Sequence, residues 1–171
     1  PISEIVYDSA AKNDVIHKAL KQYEKTGNTA YLAVCLNFTL ALRVGELVAL
    51  TTSCINDDGT IDIIREEVKT YIKDDNGKLH RNGYEVVNHT KTQCGMRKLI
   101  LTENAKKYIQ MAIDRNRELG ISDGDYIFLN KKGSRIHDHA INNVLRRLNG
   151  VRNEKDAFVI TDRPSGNHAI R

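Results

Sequence analysis

The sequence has little of what would staple, punctuate or anchor a chain. Its three cysteines, Cys35, Cys54 and Cys94, are odd in number, far apart and without a Cys-x-x-Cys pair. A disulfide framework is not expected on that count, no spacing suits a zinc site, and free thiols of a reducing cytosol are expected. There are two prolines, Pro1 and Pro164, and neither an internal repeat nor a low-complexity tract divides the chain. No apolar run approaches the ~18–20 residues of a membrane span. The longest, near Tyr31–Leu50, is broken by Asn37, Thr39, Arg43 and Glu46. The opening Pro1-Ile2-Ser3-Glu4 lacks the basic start and apolar core of a signal peptide. The expectation is a cytoplasmic globular protein with no membrane contact.

What is present suits one domain. With 171 residues, 40% hydrophobic and 28% charged, the chain can bury a core unaided, so residues 1–171 are read as a single domain. Twenty-six Lys and Arg against 22 Asp and Glu leave a net +4, which permits a polyanionic partner without demanding one.

Periodicity orders the elements. Val15, Ile16, Ala19, Leu20 and Tyr23 share one helical face, and Thr26-Gly27-Asn28 breaks that helix. Thr29 to about Leu42 is apolar nearly all round and is expected at the centre of a helical core. Gly45 is expected to interrupt or turn the chain before a short helical piece over Glu46–Leu50. Three strands follow, Ile61–Val68, Tyr84–Asn88 and Met96–Leu101, with turns at Asp57-Asp58-Gly59 and Asp74-Asp75-Asn76-Gly77. Thr102 then reads as an N-cap and Gly120 as the end of a further helix. A last amphipathic helix, His137 to Leu148, carries Ile141, Val144, Leu145 and Leu148 on one side, its start capped by Asp138. The fold class is mainly α with a small three-stranded antiparallel sheet, an α+β arrangement.

Three features point to chemistry. Arg43 stands in Leu42-Arg43-Val44-Gly45-Glu46-Leu47, where burying a guanidinium is costly unless an anion meets it. Glu46 is one candidate partner, an external anion another. His168 and Arg171 stand at i and i+3 and approach one anion together if their segment is helical. Lys91 sits between Thr90 and Thr92 in the connection of the second and third strands. In order and separation, these features resemble the catalytic domain of the tyrosine recombinases, the phage-integrase type of site-specific recombinase. Arg43-Val44-Gly45-Glu46-Leu47 is similar to that family's first box, Lys91 to its hairpin lysine, and His168-x-x-Arg171 to the start of its second box.

The resemblance implies metal-free and cofactor-free DNA strand cleavage and rejoining through a 3′-phosphotyrosine, in the service of integration or excision of a phage or mobile element. Arg43 and Arg171 are implied to hold the non-bridging oxygens, Lys91 to protonate the departing 5′-oxygen, and His168 to assist at the tyrosine and bond the phosphate. Glu46 is implied to support the site without reacting. Forked, permanently charged guanidiniums suit this electrostatic task, and no metal-ligand cluster stands in the sequence. The family's nucleophilic tyrosine follows its second box, whereas the last tyrosine here is Tyr126. The chain is therefore read as a catalytic domain cut before its nucleophile, expected to bind DNA but not to cleave it. Tetramers on paired sites are implied for the full-length protein and a monomer for this chain alone.

Binding to double-stranded DNA has separate support. From Lys131 to Arg152, the bases Lys131, Lys132, Arg135, Arg146, Arg147 and Arg152 face the single acid Asp138. Asn142 and Asn143, on the same helix, suit base edges or phosphates. Two other readings stay open: a non-catalytic DNA-binding module, and a helical protein-interaction domain whose Arg43 and Arg171 pair with internal acids.

Overall fold

The computed structural model describes residues 9–89 and 95–150. Its centre is α2 (Ala30–Leu40), in which every residue but Thr39 is buried. An all-round apolar helix is stable only when neighbours cover every side. α1 (Ser9–Thr26), α4 (Glu103–Leu119) and α5 (Asp138–Leu148) supply that cover. Fully buried Leu32 and Leu36 each stabilise the core by about 1.5–3 kcal/mol relative to exposure. Both ends of α4 follow the sequence signals. Thr102 Oγ1 accepts the Ala105 N–H at 3.1 Å, and Gly120 takes the left-handed conformation (φ 62°) that closes α4.

The strands form two two-stranded antiparallel sheets, which corrects the expected single three-stranded sheet. The first expected strand divides at Ile64. Before it, β1 (Thr60–Ile63) buries Ile61 and Ile63 and pairs with β4 (Arg97–Ile100). After it, β2 (Arg65–Lys73) pairs with β3 (Leu79–Asn88). The break lies where the chain changes partner: Ile64 C=O accepts the His89 N–H at 2.9 Å, one step beyond the Arg65–Asn88 pair. The hairpin also starts five residues earlier than Tyr84, at Leu79. Lys78-Leu79-His80-Arg81-Asn82-Gly83 has no strand pattern of its own. Backbone pairing beyond the Asp74–Gly77 turn holds it, not side-chain burial.

α3 (Val44–Val48) lies across β2, and here the reading of Gly45 needs correction. The chain turns before it, at Ala41, whose left-handed backbone (φ 53°) ends α2. Gly45 is inside α3 and buried, and a Cβ on it would stand 2.6 Å from the Glu67 carbonyl oxygen. Its missing side chain lets the helix seat against the strand. Gly45→Ala is expected to push α3 off β2 and cost about 1–3 kcal/mol, read from the midpoint of urea unfolding. An unchanged midpoint would mean that the helix is free to shift.

Candidate active site

Arg43 owes its position to residues on two elements, α2 and α3. Asn37, buried near the end of α2, clasps Leu42: its Oδ1 accepts the Leu42 N–H at 2.8 Å and its Nδ2 donates to the Leu42 carbonyl at 3.1 Å. This clasp and the turn at Ala41 deliver Arg43 as the half-buried N-cap of α3. Arginine has no acceptor, so only the glutamate half of a capping box forms, with Glu46 Oε2 accepting the Arg43 N–H at 3.0 Å.

The charge of Glu46 goes elsewhere. Arg97, on β4, donates Nη1 to Oε1 and Nη2 to Oε2, both at 2.9 Å, a two-pronged pair on a carboxylate only 1% exposed. His89 Nε2 lies 3.2 Å from Oε1. Burial by itself raises the pKa of Glu46. The Arg97 fork, the Arg43 amide and the nearby Arg43 charge outweigh it and hold the carboxyl below the ordinary glutamate value. The candidate pairing of Arg43 with Glu46 is thus half right: Glu46 takes the backbone amide of Arg43 and the guanidinium of Arg97. Among the described residues no ion pair involves Arg43.

A second buried carboxylate ties the hairpin to α5. Glu67, on β2, receives the Arg135 guanidinium and lies 2.7 Å from His137 Nδ1. Arg135, 10% exposed, also covers the Tyr126 ring, so this base of the expected DNA face is turned inward. His137 stacks on Tyr84 with ring centres 4.0 Å apart. Tyr84 donates its hydroxyl to Asp138 Oδ1 at 3.0 Å, and its pKa is pushed up to about 12 by burial and then by that carboxylate. Asp138 is the first residue of α5 rather than its cap; His137 holds the cap position. The Asp138 carboxylate is drawn to Lys69 (3.1 Å) and Tyr84.

Lys131, Lys132, Asn143 and Arg147 are exposed, while Asn142 and Arg146 are half-buried. Arg146 donates to Asn143 Oδ1 at 3.3 Å. Lys131, Lys132 and Arg147 join Arg115 around a cleft of about 550 Å³ with Tyr31 and Leu129 in its walls. Lys91, His168 and Arg171 lie outside the described residues, as do Cys94 and Arg152. Asn37, His89, Arg97 and Glu67 were not singled out from the sequence as site residues. A signal for one of them was there: in an alternating strand, one of the adjacent pair Glu66 and Glu67 must face inward and so require a partner.

The sequence model of the phage integrase family matches residues 11–171. The chain belongs to that family. No curated protein matches it. Among solved structures, the integrase of the Tn1549 transposon (residues 82–397), in complex with circular intermediate DNA, matches with a TM-score of 0.68 and 20% identity. That match covers 99% of this chain and 52% of the other. XerA recombinase matches with a TM-score of 0.55 and 15% identity, covering 88% of this chain and 45% of its own. XerH site-specific recombinase bound to difH substrate, a pre-cleavage complex, matches with a TM-score of 0.54 and 16% identity, covering 89% and 39%. At these identities the likeness is one of fold, the tyrosine-recombinase catalytic fold, and this phage integrase chain spans about half the length of the Tn1549 structure. Among the described residues no helix of this integrase-family chain is long and apolar enough to cross a membrane.

Proposed function

We propose that residues 1–171 form the catalytic domain of a site-specific DNA recombinase that breaks and rejoins strands through a 3′-phosphotyrosine. One observation supports this most: Glu46 is occupied by Arg97, which leaves the guanidinium of Arg43, whose backbone is held at the start of α3, in no ion pair with a carboxylate among the described residues. Together with Arg171, Arg43 would hold the non-bridging oxygens of the scissile phosphate. There the charge of the pentacoordinate transition state collects, and forked guanidiniums meet it best. A tyrosine oxygen attacks phosphorus, the bond to the 5′-oxygen breaks, and Lys91 gives that oxygen its proton. His168 would assist at the tyrosine. The phosphodiester energy is kept in the covalent link, so rejoining requires no further energy source. The test is denaturing electrophoresis of the full-length protein after incubation with a nicked duplex carrying its recombination site. A protein–DNA adduct that survives denaturation is expected, and DNA binding without any adduct would leave only a binding module.

Double-stranded DNA is the proposed partner, held by Lys131, Lys132, Asn142, Asn143, Arg146 and Arg147. Affinity is expected to fall steeply between about 50 and 200 mM salt, because each phosphate contact releases condensed counterions. Replacing both Lys131 and Lys132 with alanine should flatten the slope of log K against log salt by roughly two if each meets a phosphate. Fluorescence anisotropy on a labelled duplex reads this directly. An unchanged slope would remove the Lys131–Lys132 turn from the interface.

A further inference from the structure

The peptide unit that leads into Arg43 is held at both ends by side chains. Its carbonyl, that of Leu42, accepts from Asn37 Nδ2 at 3.1 Å, and its N–H, that of Arg43, donates to Glu46 Oε2 at 3.0 Å. The preceding unit is held as well, because Asn37 Oδ1 accepts the Leu42 N–H at 2.8 Å. The Asn37 carbonyl in turn accepts the Ala41 N–H at 2.9 Å. One buried side chain, 5% exposed, thus grips both peptide units that flank Leu42. Within this grip lies Ala41, with φ 53° and ψ 44°. Among the described residues it alone, glycines apart, has a positive φ. A residue with a Cβ keeps that backbone only where its surroundings impose it. Asparagine carries a donor and an acceptor on one short planar group, so leucine in its place loses both bonds and aspartate loses the donor.

We propose that Asn37 is a positioning residue for strand cleavage: by gripping both peptide units around Leu42, it fixes the direction in which Arg43 leaves the backbone. The inference rests on the proposed role of Arg43 at the scissile phosphate. Asn37 spends its amide on Leu42 and acts only through Arg43. A guanidinium gains its advantage from being aimed before the charge develops, so a swing of the backbone at its root is felt in the rate. Binding changes little, since DNA is held through many phosphates, of which Arg43 would meet one. The cost of losing the clasp therefore passes through Arg43. Two unpaired backbone groups alone would instead lower stability and leave cleavage per folded molecule unchanged.

A double-mutant cycle separates the two. In the full-length protein, single-turnover cleavage at saturating DNA is measured per folded molecule for Asn37→Leu, for Arg43→Ala and for both together. Asn37→Leu should slow cleavage on the order of 10- to 100-fold, the cost of a misplaced group. Its DNA affinity should stay within about threefold of the unaltered protein. With Arg43→Ala in place, the same substitution should slow cleavage by less than about threefold, because nothing is left to aim. Asn37→Asp keeps the acceptor for the Leu42 N–H, so it should fall between, and it carries the test if the leucine variant does not fold. Should cleavage by Arg43→Ala be too slow to time, Arg43→Lys serves as the background, and Asn37→Leu should again cost less there than in the unaltered protein. The inference is overturned if Asn37→Leu loses stability without slowing cleavage, or slows it by the same factor with and without Arg43. If Arg43→Ala cleaves like the unaltered protein, the role of Arg43 falls, and this inference falls with it.

Discussion

In the full-length protein, Arg43→Ala is expected to lower strand cleavage by roughly 10²–10³-fold or more, the effect of removing one preorganised donor from a transition-state anion. The fold should survive, because among the described residues the Arg43 side chain is in no ion pair, and its backbone N–H, which binds Glu46, is retained. Its unfolding midpoint should stay within about 0.5 kcal/mol of the unaltered protein, as for a substitution outside core and buried pairs. DNA binding should weaken only modestly, since Arg43 would act on one phosphate among many. Arg43→Lys restores the charge but not the planar fork, so cleavage should recover in part at most. Single-turnover cleavage and urea unfolding, measured on the same preparations, separate the two roles. A large stability loss with unchanged cleavage per folded molecule would return Arg43 to a structural part, as in the protein-interaction reading.

Glu46 should behave in the opposite way, with its main effect on stability. Glu46→Ala leaves Arg97 without its fork partner and removes the acceptor of the Arg43 N–H. Breaking a buried pair from one side costs about 3–5 kcal/mol. The Arg97 side chain is 35% exposed, so water can rescue part of its charge and the low end, about 3 kcal/mol, is expected. Cleavage should fall too, because α3, the N-terminus of which is Arg43, is tied to β4 through Glu46. The pH dependence carries a sign. The Glu46 pKa is lowered in the folded protein, so its contribution is complete above the ordinary glutamate range. It is lost as pH falls through the lowered value, when the unfolded chain already holds the proton. The stability gap between the unaltered protein and Glu46→Gln should therefore be widest near neutrality and close on acidification. A gap that stayed constant with pH would show that the carboxylate charge is not what Arg97 needs.

Much of the architecture was legible because burial is written locally as periodicity. The stripe of Val15, Ile16, Ala19 and Leu20, the apolar surround of α2 and the stripe of α5 all report which faces must leave water. Capping chemistry at Thr102 and Gly120 is equally local. Sheet pairing was not. Ile61–Val68 looks like one strand because its residues favour extended backbone, yet its halves serve different partners, β4 and β3, chosen by where the chain returns. Gly45 misled for a related reason: a glycine reads as a breaker in one dimension, while its use here is to admit the Glu67 carbonyl from a strand over twenty residues away. The boxes around Arg43 and Glu46 could be seen as a motif, whereas their division of labour could not.

Residue order alone was thus enough for the four longer helices, their buried faces and the family, since each depends on neighbours in the chain or on short motifs. Folding in space decided which buried charge meets which. Glu46 takes Arg97 from 51 residues along, and Glu67 takes Arg135 from 68. Such pairings are set by where β4 and the segment before α5 return beside α3 and β2, and a carboxylate removed from water binds whichever cation that return brings within reach.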